Sequence, residues 1–157
     1  GEDVSTATIV TRLNRQLYEN TPPEKYASFY CAVYDEHNSR LTYTNAGHLA
    51  PILVRDRQVM RLESNGTVVG IFPEYPFEQI DVGLQPRDLL AAFTDGITES
   101  EIAHEEQFGE GRLIDLLLEY AAKPLDEIIQ TVMNNVGAWT HDPAVRDDIT
   151  ILLARKF

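Results

Sequence analysis

The spacing of hydrophobic residues changes along the chain and divides it into predicted helices and strands. Between Ser5 and Asn20 the apolar positions recur at helical spacing, and Pro22 and Pro23 follow directly. Proline cannot continue a helix, so the pattern predicts one helix that ends before Pro22. Either Ser5 or Thr6 can serve as its N-terminal cap.

Short apolar runs with polar interruptions come next and are typical of strands. Three of them, at residues 28–35, 41–46 and 51–54, are separated by turn-forming residues and predict an antiparallel meander. A fourth run, 58–62, is expected to pair with the strand before it. Residues 63–70 are rich in turn-forming residues and predict a loop.

Two further strands are predicted after this loop. Residues 77–84 alternate between apolar and polar positions from Ile80 onward, which indicates a half-buried strand that Pro86 ends. From Asp88 to Thr94 the chain is almost continuously apolar, which is typical of a central strand covered on both faces.

The last third of the chain returns to helical spacing. Residues 112–122 and 125–139 predict two helices, with Pro124 at the start of the second, and a final alternating strand begins near Ile149. Strands and helices fall in separate blocks rather than in strict alternation. This arrangement favours an α+β domain in which antiparallel sheet packs against helices.

Composition narrows the class of protein. The 157 residues suit one domain, and 13 basic against 25 acidic side chains give a net charge of −12, which disfavours nucleic acid and anionic membranes as partners. Cys31 is the only cysteine, so no internal disulfide can form. Without a recognisable leader or a long apolar run, the sequence predicts a cytoplasmic protein without membrane insertion.

Acidic residues stand at the ends of two predicted strands. Asp95 follows the central strand, and the pair Asp147 and Asp148 precedes the last one. Carboxylates from distant parts of the sequence can bind a hard cation such as Mg²⁺ or Mn²⁺ if the fold brings them together. The alternative is structural, because Asp-Gly is a common turn dipeptide and an acidic pair can simply be solvated.

Several short motifs occur together in one order. They are Leu-Thr-Tyr-Thr-Asn-Ala-Gly-His at 41–48, Pro-Arg-Asp-Leu-Leu at 86–90, Phe-Thr-Asp-Gly-Ile-Thr-Glu at 93–99, Phe-Gly at 108–109 and Asp-Asp-Ile-Thr at 147–150. Together they resemble the SpoIIE/RsbU branch of the type 2C (PPM) metal-dependent protein phosphatases.

The resemblance implies a four-layer αββα sandwich of antiparallel sheets with a binuclear Mn²⁺ or Mg²⁺ centre. It also implies that Asp95 and Asp147 are catalytic metal ligands and that Asp148 supports them. In such a site the cations activate a water that attacks phosphorus directly, without a covalent enzyme intermediate.

Three more residues of these motifs are candidates for supporting roles, and each has a simpler alternative. Gly96 either lets the backbone approach the site or only forms a turn. Glu99 is either a supporting residue or a solvated residue at a helix start. His48 either faces the substrate phosphate or donates a structural hydrogen bond, and we favour the structural role.

Complete members of the resembled family carry an Asp-x-x-Gly-x-Gly segment before the first helix, and no part of this sequence matches it. Residues 1–157 are therefore expected to form the C-terminal portion of a single phosphatase domain that lacks its N-terminal strands. We expect such a chain to be a weak or inactive enzyme that self-associates through the exposed sheet edge.

The implied function is hydrolysis of phosphoserine or phosphothreonine on a bacterial signalling partner, by kinship an anti-anti-sigma factor of the STAS type. A non-catalytic regulatory module with a degenerate phosphatase fold is the alternative. Nucleotide hydrolysis is disfavoured because the sequence has no glycine-rich phosphate loop ending in Gly-Lys.

Overall fold

The computed structural model describes residues 4–102, 106–139 and 148–157, which form helices and short strands in alternating blocks. In chain order the elements are α1 (Thr6–Asn20), β1 (Phe29–Asp35), β2 (Arg40–Ala46), β3 (Ile52–Arg55), β4 (Gln58–Arg61), β5 (Ile80–Gly83), β6 (Leu89–Phe93), α2 (Asp95–Thr98), β7 (Glu101–Ile102), β8 (Glu106–Gln107), α3 (Gly109–Tyr120), α4 (Leu125–Trp139) and β9 (Ile151–Arg155).

These elements group into two compact units, each built from two separate stretches of chain. The first unit comprises residues 1–50 and 62–85, and the second comprises residues 51–61 and 86–157. The prediction of a single domain over residues 1–157 stays a prediction. Among the described residues, no helix has the length and apolar character needed to cross a membrane.

In the first unit, α1 packs on an antiparallel sheet of order β1-β2-β5. Ser5 caps the helix, since its side-chain oxygen accepts a hydrogen bond from the Thr8 N–H at 3.1 Å. Val10 of α1 is fully buried beside Ala46 of β2, Val69 and Phe77. The helix predicted for residues 5–20 is therefore confirmed, and Ser5 is the cap.

Polar side chains also fix α1 to its surroundings. The Thr6 and Thr44 hydroxyls lie 3.0 Å apart in the interior, and Thr44 donates onward to the Glu78 carbonyl at 2.9 Å. Asn14, fully buried, donates to the Phe72 carbonyl and accepts from the Gly70 N–H, both at 2.8 Å. The buried polar groups of Thr6, Thr44 and Asn14 thus have partners, which offset the cost of burying them.

In the second unit, the sheet has the order β4-β3-β6-β9, and every neighbouring pair is antiparallel. Helices α3 and α4 share one apolar core with this sheet. Its fully buried members include Ile52, Leu89, Leu113, Leu117, Ile128 and Val132. The central strand predicted at residues 88–94 is confirmed as β6, which lies between β3 and β9.

An ion pair ties β3 to the start of β6. The Arg55 guanidinium contacts both carboxylate oxygens of Asp88, with Nε 2.9 Å from Oδ1 and Nη2 2.5 Å from Oδ2. The Asp88 side chain is only 2% exposed, whereas that of Arg55 is 26% exposed. The hydrogen bond with Asp88 raises the pKa of Arg55, and partial burial opposes this rise.

Three features differ from the expectations. The meander predicted over residues 28–54 is wrong, because β1 and β2 pair with each other while β3 pairs with β4 and β6 in a different sheet. The strand predicted at 77–84 is shorter, since β5 begins only at Ile80. Phe77 precedes it and is buried in the core that contains Val10 of α1. The short elements α2, β7 and β8 were not predicted, because two to four residues are too few to show a hydrophobic period.

We expect the Asp88→Asn substitution to lower the free energy of unfolding by about 2–4 kcal/mol, because it leaves the Arg55 charge without its buried counter-ion. Chemical denaturation followed by circular dichroism measures this. Asp115→Asn, at an exposed position of α3 in the same unit, is the matched control and should change stability little. Equal stability of both variants would contradict a structural role for the ion pair.

Tyr30 generates a pH prediction, because its hydroxyl is buried and has no hydrogen-bond partner among the described residues. Burial raises the pKa of Tyr30. The unfolded chain therefore loses this proton first, and stability should fall as pH rises above about 10. Tyr30→Phe should reduce that loss and leave stability at neutral pH unchanged or slightly higher.

Denaturation midpoints at neutral pH and above pH 10 test this, with Tyr26→Phe as the control because Tyr26 is 65% exposed. A Tyr30→Phe variant that is clearly destabilised at neutral pH would show that the hydroxyl has a favourable contact after all.

Candidate metal centre

The central strand β6 ends in the polar segment that the sequence singled out. Phe93 and Ile97 are both buried in the core of the second unit, and they hold the intervening residues at the end of the strand. Asp95 opens the short helix α2 and is exposed. An acidic side chain in the first turn of a helix is favourable because helix N-termini carry partial positive charge.

The residues that directly precede β9 are hydrogen-bonded to Thr94, at the end of β6. The Thr94 N–H donates to the Thr150 carbonyl at 3.1 Å. The Thr94 hydroxyl accepts from the Thr150 N–H at 2.9 Å and donates to the Asp148 carbonyl at 3.1 Å. Residues 148–150 are therefore joined to the residue that directly precedes Asp95.

Asp95 and Asp148 thus belong to neighbouring chain segments, although they are far apart in the sequence. Both are exposed. The Asp95 carboxylate has no hydrogen-bond or ion-pair partner among the described residues, so it is available to a ligand. Asp147, the second predicted ligand, lies outside the described residues.

The chemistry of these donors fits a hard divalent cation, since Mg²⁺ and Mn²⁺ prefer carboxylate oxygen and the strand end is a rigid support. Within residues 4–102, 106–139 and 148–157, no cluster of three or more His, Cys, Asp or Glu side chains is arranged to hold a metal ion. The described residues by themselves therefore do not form a complete metal site.

Gly96 and Glu99 lie beside Asp95 in different environments. Gly96 is buried inside α2, has no positive φ, and its carbonyl accepts the Ser100 hydroxyl at 2.7 Å. Glu99 is exposed and ends the helix, where its N–H donates to the Asp95 carbonyl at 2.7 Å. Glu99 therefore lies at the end of a helix rather than at a helix start, and whether it is a supporting or a solvated residue stays a prediction.

His48 belongs to the first unit and lies in a turn after β2 that several hydrogen bonds hold in place. Its N–H donates to the Asn45 side-chain oxygen at 2.9 Å, and its Nδ1 lies 3.1 Å from the Ser28 hydroxyl. Buried Asn45 also donates to the Leu62 carbonyl at 3.2 Å. These contacts agree with the structural role that we favoured for His48, although its role stays a prediction.

Sequence reasoning missed two residues that organise these places, namely Thr94 and Asn45. Both stand inside motifs that were recognised, but neither was assigned a role. Threonine is a common N-terminal cap of helices, so its position at the end of a predicted strand, directly before Asp95, is a local signal that could have drawn attention to Thr94. The partners of its hydroxyl lie more than 50 residues away, and no local pattern indicates them.

Solved structures with the same fold are phosphatase domains of the PP2C class. The chain is similar to the SiaA-PP2C domain of Pseudomonas aeruginosa, with a TM-score of 0.83 and 22% identity over 95% of this chain and 60% of that one. It is also similar to the phosphatase domain of SpoIIE from Bacillus subtilis, with a TM-score of 0.69 and 18% identity over 99% of this chain and 67% of that one. The predicted αββα fold class is confirmed.

The chain belongs to the family described as Stage II sporulation protein E (SpoIIE), whose model matches residues 1–157. Among curated proteins it is similar to the phosphoserine phosphatase RsbU of Bacillus subtilis, at 26% identity over 94% of this chain and 44% of that protein. The resemblance to the SpoIIE/RsbU branch is thereby confirmed. The chain spans less than half the length of the curated relatives it matches.

The turn that carries His48 generates a prediction for Gly47, whose φ of +70° disfavours any residue with a side chain. A Cβ added there would lie 2.7 Å from Cγ1 of Val68, closer than packing allows. Gly47→Ala should lower the free energy of unfolding by about 1–3 kcal/mol, which thermal denaturation measures.

Gly83→Ala is the matched control, since a Cβ at Gly83 meets no atom within 4 Å and the position lies in β5 of the same unit. If the two alanine variants have the same melting temperature, the turn does not require glycine.

Proposed function

We propose that this chain belongs to the catalytic domain of a metal-dependent protein serine/threonine phosphatase, which hydrolyses phosphoserine or phosphothreonine on a bacterial signalling protein. One observation carries the proposal. Hydrogen bonds between Thr94 and residues 148–150 join the end of β6 to the entry of β9, so that two acidic segments distant in sequence share one edge.

Asp95 and Asp147 are the residues that would hold Mn²⁺ or Mg²⁺, and Asp148 would support them from the adjoining position. The chemistry that such cations supply is a water of lowered pKa and neutralisation of phosphate charge. The similar SpoIIE phosphatase domain from Bacillus subtilis was solved after presoaking with Mn, which supports manganese as the first metal to test.

The charge of the chain explains why a cation is needed for this substrate. A phosphoserine side chain carries about −1.5 to −2 charges at neutral pH, whereas this chain carries 25 acidic against 13 basic residues. The surface as a whole therefore repels the substrate. The contribution of Asp95 and its neighbours is to concentrate positive charge at one edge by binding metal.

The remaining residues of the motifs have positioning roles in this proposal. Gly96, buried in α2, keeps the turn after Asp95 compact, and Glu99 at the helix end adds negative charge close to Asp95. His48 holds its own turn through Ser28 and Asn45. The substrate is proposed to be an anti-anti-sigma factor of the STAS type, in the cytoplasm, a choice that rests on kinship with phosphatases of the RsbU kind.

A regulatory module without catalysis is the second candidate. The lack of a three-residue metal cluster among the described residues favours it. The two functions differ in what the carboxylates do, because a docking module binds its partner without them. Replacing Asp95 should therefore abolish metal binding and hydrolysis under the enzyme proposal, and it should leave partner affinity unchanged under the regulatory proposal.

We expect the chain to bind Mn²⁺, and we expect Asp95→Asn and Asp147→Asn each to weaken that binding about 100-fold or more, since a direct ligand contributes at least as much as the groups that support it. Isothermal titration calorimetry of the metal-free chain with MnCl₂ measures this. Asp115→Asn, an exposed carboxylate on α3, should bind Mn²⁺ as the unmodified chain does.

Release of phosphate from a phosphoserine peptide is the second measurement. We expect this release to be weak or absent in the chain by itself, and any release should require Mn²⁺ and Asp95. Absence of Mn²⁺ binding by the unmodified chain would contradict the enzyme proposal. Partner binding that survives Asp95→Asn, in a chain without metal affinity, would favour the regulatory module.

A further inference from the structure

Thr94 occupies the N-terminal capping position of α2 but does not cap the helix. Its backbone is extended, with φ −97° and ψ 161°, and its side chain makes no capping hydrogen bond. A threonine at this position normally accepts a hydrogen bond from the second or third N–H of the helix with its side-chain oxygen. The Thr94 hydroxyl is therefore used elsewhere.

The hydroxyl instead completes the pairing of β6 with β9. Paired residues of these strands run to Phe93 and Ile151, and the Thr94 N–H adds a bond to the Thr150 carbonyl at 3.1 Å. The Thr94 carbonyl, which would return the bond in a regular antiparallel ladder, accepts from the Ile97 N–H at 3.1 Å instead. The Thr150 N–H bonds to the Thr94 hydroxyl at 2.9 Å.

The single proton of the hydroxyl is also engaged. It is directed to the Asp148 carbonyl at 3.1 Å, so one small side chain bonds to the backbone of both Thr150 and Asp148. The chain can thus leave β6 and begin α2 immediately before Asp95, while residues 148–150 stay hydrogen-bonded to Thr94. Valine, which has the same shape without the hydroxyl, could make neither bond.

We propose that Thr94 is a positioning residue for the metal centre: its hydroxyl fixes the backbone of Asp148 at the strand end that carries Asp95. This inference rests on the proposed function. Metal ligands that are held before the cation arrives lose less conformational freedom on binding, and residues that orient them contribute to affinity without contacting the metal.

Three substitutions separate the hydroxyl from the rest of the side chain. Thr94→Val removes both side-chain hydrogen bonds and keeps the branched shape, whereas Thr94→Ser keeps the hydroxyl. Thr131→Val is the matched control in the same unit, because it removes a hydroxyl bonded to the Glu127 carbonyl on α4, remote in sequence from both acidic segments. Near-ultraviolet circular dichroism checks folding, and Thr94→Ala replaces Thr94→Val if the latter does not fold.

Two measurements follow. In calorimetric titrations with MnCl₂, Thr94→Val should raise the dissociation constant about 10-fold or more, whereas Thr94→Ser and Thr131→Val should stay within about twofold of the unmodified chain. In the metal-free chain, hydrogen exchange at the Thr150 amide should be faster in Thr94→Val and unchanged in Thr94→Ser. The second readout needs neither metal nor activity.

Equal Mn²⁺ affinity of Thr94→Val and the unmodified chain would overturn the positioning role and leave the proposed function intact. A Thr94→Ser variant as weak as Thr94→Val would also overturn it, because the hydroxyl would then not be responsible. An unmodified chain that binds no Mn²⁺ would overturn the proposed function, and the positioning role with it.

Discussion

The pairing of β6 with its two neighbours is the constraint on which the second unit and the candidate site depend. Leu89 and Ala91 are fully buried in the core that the sheet shares with α3 and α4, so the strand cannot shift without exposing apolar surface. Its start is fixed by the ion pair of Arg55 with Asp88, and its end by the hydrogen bonds of Thr94. The backbone of Asp95, which directly follows this strand, is held in place as a consequence.

The first unit depends more on buried polar contacts. Thr6, Asn14 and Asn45 are fully buried, and each has its hydrogen-bonding groups engaged by backbone or by another hydroxyl. A buried polar group contributes modest net stability when it is hydrogen-bonded, but it destabilises the fold when it has no partner. These groups therefore favour the one arrangement of helix, sheet and loop in which all of them are hydrogen-bonded. The turn at Gly47 and His48 is part of this network. These bonds explain why the backbone there keeps a fixed conformation, with a positive φ at Gly47.

Much of the fold could be predicted from local pattern. The helix at residues 5–20 followed from the helical spacing of its apolar residues, and the central strand followed from its nearly continuous apolar run. In both elements, burial imposes a recognisable pattern on the sequence. Strand partners could not be predicted in the same way. Residues 28–54 were expected to form one meander, yet β3 joins a different sheet, since strand pairing is decided by the faces available in the folded chain rather than by order in the sequence.

The sequence alone determined which residues could carry chemistry: acidic side chains at strand ends, within motifs typical of one phosphatase branch. It could not determine that the Thr94 hydroxyl leaves its own helix and bonds to residues 148–150. That choice depends on two strands meeting across more than 50 residues of chain, and hydrogen bonds between such distant groups exist only once the apolar core has brought the strands together.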